Sequence, residues 1–275
     1  MASLDRAALR AALGATAEQF AIDWLPSCDS SNTQLLARAE AGADSGTAAT
    51  VIVAETQTAG RGRRGRGWVA APGDSLTFSL LWRFAPGRVP IGLSLAMGVA
   101  VTRALEKVGA GETALKWPND VLLRGRKLGG ILVELVSGAP HAAVIGIGIN
   151  RRLPAALPPD VRATAAALDE ACTVSGETLL AALLIELHTA LRAFAADGFA
   201  ALRADWLARH AHQDAPVVLL ADFAPPRQGI CRGVNEEGAL LLEVNGCVER
   251  VLSGEISLRP LSAGMLPNAS ISPSR

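Results

Sequence analysis

The 275-residue sequence predicts an α+β fold: a mixed β-sheet carrying helices, followed by a small β-barrel. Three observations predict it. Apolar, β-branched runs recur between Ile22 and Asn150, with few helical stretches among them. A 3.6-residue apolar period runs from Leu179 to Phe194. Beyond Asp214, short apolar runs alternate with turn residues over roughly 50 positions. The expected bounds are a tail or short helix at 1–20, a main domain at 21–212, a small barrel at 213–262 and a disordered tail rich in Ser, Pro and Gly at 263–275.

Each element has a local reason. Ile22–Leu25 reads as a short strand, and Leu35, Leu36 and Ala39 repeat at helical spacing after it. Asp29 or Ser30 would cap that helix and Gly42 would stop it. Ala49–Glu55 and Ser75–Trp82 are buried strands. Leu93, Ala96, Met97, Ala100, Ala104 and Val108 stripe a helix over 91–108. Leu115–Val121 is a strand that ends abruptly, because Pro118 has no N–H and restricts Trp117. A hairpin turns near Arg124 and Gly125 and continues through Ile131–Val136, and Ala142–Asn150 is a strand interrupted by glycines. Val161–Leu168 reads as a short helix, Ser175 as the cap of a long one, and Gly198 as the start of a third. The runs Pro216–Leu220, Gly229–Val234, Ala239–Val244 and Cys247–Leu252 make the barrel, with Asn245-Gly246 as a two-residue hairpin turn.

Half of the residues are hydrophobic, enough to pack a core, and formal net charge is zero, so global attraction to nucleic acid or membrane is not implied. Four dispersed cysteines and four histidines form no C-x-x-C or H-E-x-x-H pattern. With no basic-then-apolar leader and no 18-residue apolar run, the expected location is the cytoplasm.

One stretch departs from this neutral background. Between Gly60 and Gly67, Arg61, Arg63, Arg64 and Arg66 are interleaved with four glycines, and no carboxylate occurs between Glu55 and Asp74. Glycine lets the backbone approach a ligand closely, and arginine suits carboxylate and phosphate. The stretch reads as a loop that closes over an anion; a solvated linker or a nucleic-acid arm fits the same composition. Its G-x-G-x-x-G spelling is a decoy. Trp68, Pro72 and Gly73 follow where a dinucleotide fold needs a helix, and no acidic residue lies about 20 positions on. Two further polar islands, Asp29–Asn32 and Lys116–Asp120 with Lys127, also fall at strand ends, where sites collect. On local grounds Lys127 is either an edge lysine or a charge aimed at a carboxylate, and Asp120 serves a turn, a basic partner or magnesium. No Walker A sequence is present.

In order and spacing, Asp29-Ser30-Ser31-Asn32, the run from Gln57 to Arg66, Lys116–Asp120, Arg126–Glu134, Gly146–Asn150 and Gly254–Arg259 resemble the bacterial biotin–protein ligases. The match runs from about Ile22 to Pro260; each motif alone is weak and the ordered set is specific. The resemblance implies a mixed-sheet catalytic domain of the biotin/lipoate–protein ligase type with a C-terminal SH3-like barrel. It implies formation of biotinyl-5′-AMP from biotin and ATP, with Mg2+, and transfer of biotin to a lysine of a biotin carboxyl carrier protein. Ser30, Ser31 and Asn32 would hold the ureido ring, with Ser31 where the family usually has Thr. Gln57, Arg61, Gly62 and Arg63 would line the biotin and acyl-adenylate site. Lys127 would hold the carboxylate and then the acyl phosphate. Asn119 and Asp120 would lie near phosphate, metal or the incoming lysine, and Trp68 and Asn150 near adenine. Arg63, Lys127 and Asp120 are the expected catalytic residues, and no metal ligand is assigned. The partners implied are the carrier protein, biotin and ATP, without a membrane, and a homodimer is one assembly open to the chain. Members that also repress transcription carry a winged helix-turn-helix domain of about sixty residues; only some twenty residues precede Ile22, so no specific DNA binding is expected. A lipoate–protein ligase, a nucleic-acid module and an inactive carrier-binding protein are the competing readings.

Overall fold

A computed structural model describes residues 5–42, 48–69, 72–154, 157–222, 224–254 and 256–261. The tail expected at 263–275 therefore lies outside the described residues, as does Glu255. Helix α1 (Arg6–Leu13) is capped by the Asp5 carboxylate, which accepts from the Ala7 N–H at 2.8 Å. Its Leu9 and Leu13 are buried against α5 (Gly176–Asp197). Strands β1 (Phe20–Cys28) and β2 (Ala49–Gln57) pair in parallel, because α2 (Ser31–Glu40) carries the chain back between them. The remaining neighbours are antiparallel: β3 (Ser75–Arg83), β4 (Thr113–Lys116), β5 (Asp120–Leu123), β6 (Arg126–Val136) and β7 (Ala139–Asn150) complete a seven-stranded sheet ordered β1-β2-β3-β7-β6-β5-β4.

The period-2 alternation of side chains divides this sheet into two faces. Val51, Val53, Phe78, Leu80, Ile145 and Ile147 face the main core with α3 (Leu93–Lys107) and α5. On the other face Ile52, Leu81 and Val144 pack under Leu35 of α2. Further along that second face the apolar cover gives way to Thr77 and Ser79 on β3 and to Gly146 and Gly148 on β7, which leaves a polar floor.

Several expected elements need correction. The strand expected over 115–121 is a hairpin: β4 ends at Lys116, Trp117-Pro118-Asn119 makes the turn with a cis Trp117–Pro118 bond, and β5 starts at Asp120. The helix expected over 161–168 stops at Thr164 (α4, Pro159–Thr164), because the next residues pair with Lys127: the Ala166 N–H donates to the Lys127 carbonyl at 2.8 Å. Neither Asp29 nor Ser30 caps α2 through its side chain; Ser30 holds the cap position, and the Asp29 carboxylate instead accepts from the Ser30 N–H and the Gln34 amide. Those bonds, Gln34's foremost, hold its carboxyl below the usual value.

The last part of the chain folds as expected in kind, with one strand more. After α6 (Ala200–Ala208), strands β8 (Pro216–Ala221), β9 (Ala224–Val234), β10 (Leu240–Val244), β11 (Cys247–Val251) and β12 (Ile256–Pro260) form an antiparallel sheet ordered β11-β10-β9-β8-β12. Asn245 (φ 52°) and Gly246 (φ 80°) make the two-residue turn between β10 and β11. The two sheets meet at His210. Its ring stacks on Trp206 with centroids 4.4 Å apart, and its Nδ1 lies 3.2 Å from the Leu115 carbonyl of β4. A carbonyl only accepts, so Nδ1 carries the proton, and Nε2 receives the Cys231 thiol of β9 at 3.2 Å.

Candidate functional site

The polar floor is the base of the site, and the N-terminus of α2 is one wall. Ser30, Ser31 and Asn32 are all buried. Gln57, the last residue of β2, accepts from the Ser31 N–H at 2.7 Å and from its hydroxyl at 3.1 Å. Ser79 Oγ lies 2.7 Å from Ser31 Oγ and 2.5 Å from Asn32 Oδ1, and the Asn32 amide donates to Glu134 Oε2 at 2.8 Å. Glu134 is ion-paired with Arg61. A continuous network thus runs from Gln57 through Ser31, Ser79, Asn32 and Glu134 to Arg61. Buried polar groups joined in this way hold one another in place. Asn32 fits only because position 146 is glycine: a Cβ there would stand 2.2 Å from Asn32 Oδ1.

The Arg/Gly stretch is a miniature hairpin. The Gly62 N–H donates to the Arg66 carbonyl at 2.7 Å and the Trp68 N–H to the Gly60 carbonyl at 2.8 Å. Arg64 at the tip has φ 60°, a left-handed conformation, and Gly65 follows at φ 64°. A Cβ on Gly60 would meet the Trp68 carbonyl oxygen at 2.2 Å, which explains that glycine. Two arginines reach the second sheet. Arg63 donates to the carbonyls of Ser253, at 2.5 Å, and Gly254, and also to Asn119 Oδ1 at 3.3 Å. Arg64 is paired with Asp222, its Nε lying 3.1 Å from Oδ2.

Opposite the loop, Asp120 sits between two ammonium groups: Lys127 Nζ at 2.6 Å and Lys116 Nζ at 3.1 Å. Burial pushes the Asp120 carboxyl up, but the two lysine charges outweigh it and hold it below its ordinary value. Asn119 is committed to structure on one side, donating to the Ile131 carbonyl at 2.9 Å. The Asn150 amide donates to the Ala166 carbonyl at 3.1 Å and the Lys127 carbonyl at 3.4 Å.

Two adjoining cavities result. The first is lined by Ser30, Ser31, Asn32, Gln57, Arg61, Gly62, Arg63, Asn119 and Asp120, together with Gly130 of β6, Gly146 and Gly148 of β7 and Ile256–Leu258 of β12. The second is lined by Asp74, Ser75, Asn150, Arg152, Leu153 and Val161. Trp68 and Lys127 line both, at the junction. The indole of Trp68 lies over Gly148, where a Cβ would come within 2.4 Å of it. Every expected site residue therefore lines one of the two cavities. Three further residues were missed by sequence reasoning. Ser79 and Glu134 are polar residues inside apolar strands, which is a signal only once the facing elements are known. Ser75 has a buried hydroxyl without a partner among the described residues and lines the second cavity.

The comparisons with known proteins agree with one another. Residues 25–150 match the model of the biotin/lipoate A/B protein ligase family. The bifunctional ligase/repressor BirA of Escherichia coli is 41% identical over 239 residues, covering 86% of this chain and 73% of its own. A biotin–[acetyl-CoA-carboxylase] ligase of Mycobacterium tuberculosis is 36% identical over 263 residues, covering 92% of this chain and 95% of its own. Among solved structures, the biotin protein ligase of Aquifex aeolicus in complex with biotin and ATP superposes with a TM-score of 0.75 at 28% identity, covering 87% of this chain and 99% of its own.

Proposed function

The chain belongs to the biotin–protein ligases of the biotin/lipoate A/B protein ligase family and is a ligase of the biotin–[acetyl-CoA-carboxylase] type; on that premise we propose how its residues divide the reaction. The carboxylate of biotin attacks the α-phosphate of ATP, pyrophosphate leaves and biotinyl-5′-AMP forms. The ε-amine of a carrier lysine then attacks the acyl carbon, AMP leaves and an amide remains.

The observation that carries this reading is the pair of cavities that meet at Lys127 and Trp68. A bipartite intermediate, acyl on one side and nucleotide on the other, has its mixed anhydride at such a junction. In the first cavity Gln57, Ser31 and Asn32, braced from behind by buried Ser79, offer donors and acceptors for the ureido ring. Trp68 supplies an apolar face, while Asn150 and Ser75 border the nucleotide. Lys127 offsets the repulsion between carboxylate and phosphate and stabilises the charge that develops between them. Asp120 orients Lys127 and accepts hydrogen bonds where a carrier amine enters. The loop from Gly60 to Gly67 covers the anhydride and keeps water from it.

Magnesium is part of this proposal only as an ion travelling on the phosphates of ATP. Among the described residues no three His, Cys, Asp or Glu side chains cluster to hold a metal, and both Asp120 oxygens face lysines. The proposal includes no repressor activity. Fluorescence anisotropy that detected sequence-specific operator binding would refute that part. A cytoplasmic location belongs to the proposal too. Helix α5 is long and apolar enough to cross a membrane, but its apolar side chains are buried against α1, α3 and α6.

The deciding experiment supplies labelled biotin, ATP and magnesium with a purified biotin carboxyl carrier domain, and lipoate in parallel. The expected result is label on a single carrier lysine with release of AMP and pyrophosphate. Transfer of lipoate in place of biotin would overturn the reading.

A further inference from the structure

The catalytic loop grows from the seven-stranded sheet, yet its tip is fastened to the other one. Arg64 is 13% exposed at its side chain although it lies at the turn of a surface hairpin, and its guanidinium faces the carboxylate of Asp222, which is 44% exposed. Asp222 stands in the turn between β8 and β9. Arg64 holds this position from a left-handed backbone, a conformation that costs a non-glycine residue free energy and persists only where other contacts enforce it. One residue earlier, Arg63 donates to the Ser253 and Gly254 carbonyls, between β11 and β12. Two successive arginines thus reach groups on separate turns of the second sheet, Arg63 while also keeping a bond to Asn119 in the loop's own sheet. A planar guanidinium facing a carboxylate has a defined geometry, which a general surface attraction lacks.

We propose that Asp222 is a positioning residue for the ligation: acting through Arg64, it latches the loop over the acyl site, so that the C-terminal sheet sets how long the activated intermediate is retained. The proposal rests on the reading of the reaction given above for its kinetic part, and on geometry alone for the latch. Asp222 lines neither cavity and has no chemical part in either step.

The test uses the full chain. Trypsin can cut the loop after Arg61 and Arg66, which flank the latch. In Asp222→Asn, which keeps size and removes charge, cleavage at those two bonds in the absence of biotin and ATP should be about fivefold faster. Biotinyl-5′-AMP should dissociate faster by a similar factor, with the thermal midpoint of the whole protein unchanged. The swapped pair Arg64→Asp with Asp222→Arg should regain protection at Arg61 and Arg66 that neither single variant has, a non-additivity that a merely structural role of Asp222 would not produce. Unchanged cleavage in Asp222→Asn, or strictly additive effects in the swap, would overturn the latch. Since the cleavage assay contains no substrate, failure of the wild-type protein to adenylate biotin would sink the proposed reaction and leave the latch standing.

Discussion

Lys127 illustrates how a single side chain takes its meaning from its neighbours. Its ammonium lies 2.6 Å from Asp120 and its side chain is 42% exposed, held in place while lining the junction of the two cavities. A unit-charge pair at 4 Å is worth roughly 4 kcal/mol at an effective dielectric of 20, so Lys127→Ala should slow adenylate formation about a thousandfold, and should also lower stability because the mostly buried Asp120 is left with Lys116 alone; single-turnover pyrophosphate release on the folded variant reads the rate directly. Gly146 makes the complementary case. Adding a methyl group there drives it into Asn32, which is buried and hydrogen-bonded on both sides. Overpacking of this kind costs about 1–3 kcal/mol, so Gly146→Ala should weaken biotin binding about five- to 150-fold by calorimetry while the protein stays folded. The residues that the sequence made legible were those with distinctive chemistry in a row, such as Ser30–Asn32 and Arg61–Arg66. Ser79 and Glu134 were not legible as site residues, since nothing local shows that β3 and β6 pass under the start of α2.

At the level of elements, turns read well and pairings read poorly. Arg124 and Gly125, both at positive φ, turn the hairpin where their composition predicted, and Asn245-Gly246 does the same. Strand β12 was recognised only as a motif, because its partner β8 lies some forty positions upstream and no local signal reaches that far. The helix expected through Leu168 fails for the same reason: pairing of Ala165 and Ala166 with Lys127 outweighs their helical propensity. The Arg/Gly hairpin combines both lessons. Its glycines are explained locally, whereas its arginines are explained by a sheet formed much later in the chain. Arg63→Gly removes the bonds to Ser253, Gly254 and Asn119 at once. We expect that variant to release biotinyl-5′-AMP and to biotinylate bystander lysines; an unchanged adenylate off-rate with unchanged acceptor selectivity would rule this out.

For the whole molecule, the junction at His210 ties the two sheets together and makes their union sensitive to acid. Burial pushes the His210 imidazole down to about 4 from an ordinary 6.5, because a charged ring there would lose water; the bond to the Leu115 carbonyl, which favours the charged ring, offsets only part of that, and neighbouring His212 adds to the lowering. The unfolded chain therefore binds one more proton than the folded one between those two values. Its stabilising effect is complete above the unfolded value and is lost as pH falls from 6.5 toward about 4. This group alone should lower stability by about 2 kcal/mol between pH 7 and pH 5, visible as a fall in the urea midpoint. His210→Gln should be less stable at pH 7 but should lack that slope; an identical slope in the variant would show that other groups carry it. The second sheet also holds the catalytic side in place. The Trp117 indole donates to the Gly238 carbonyl at 3.1 Å, so the turn that carries Asn119 and Asp120 leans on the β9–β10 connection.

The partners of Arg64 and Arg63 have a consequence for the order in which the protein is made. Arg64 is separated from Asp222 by 158 residues, and Arg63 from Gly254 by 191. Contacts this distant in sequence are the last to become available to a chain emerging from the ribosome, well after the strands and helix that shape the acyl cavity. The floor of the pocket and its α2 wall can thus take shape while the cover is still unfastened, whereas the Ile256–Leu258 side of the lining arrives with the cover. The fastening waits for residue 254, so that command of a reactive acyl phosphate is acquired only once the second sheet has formed.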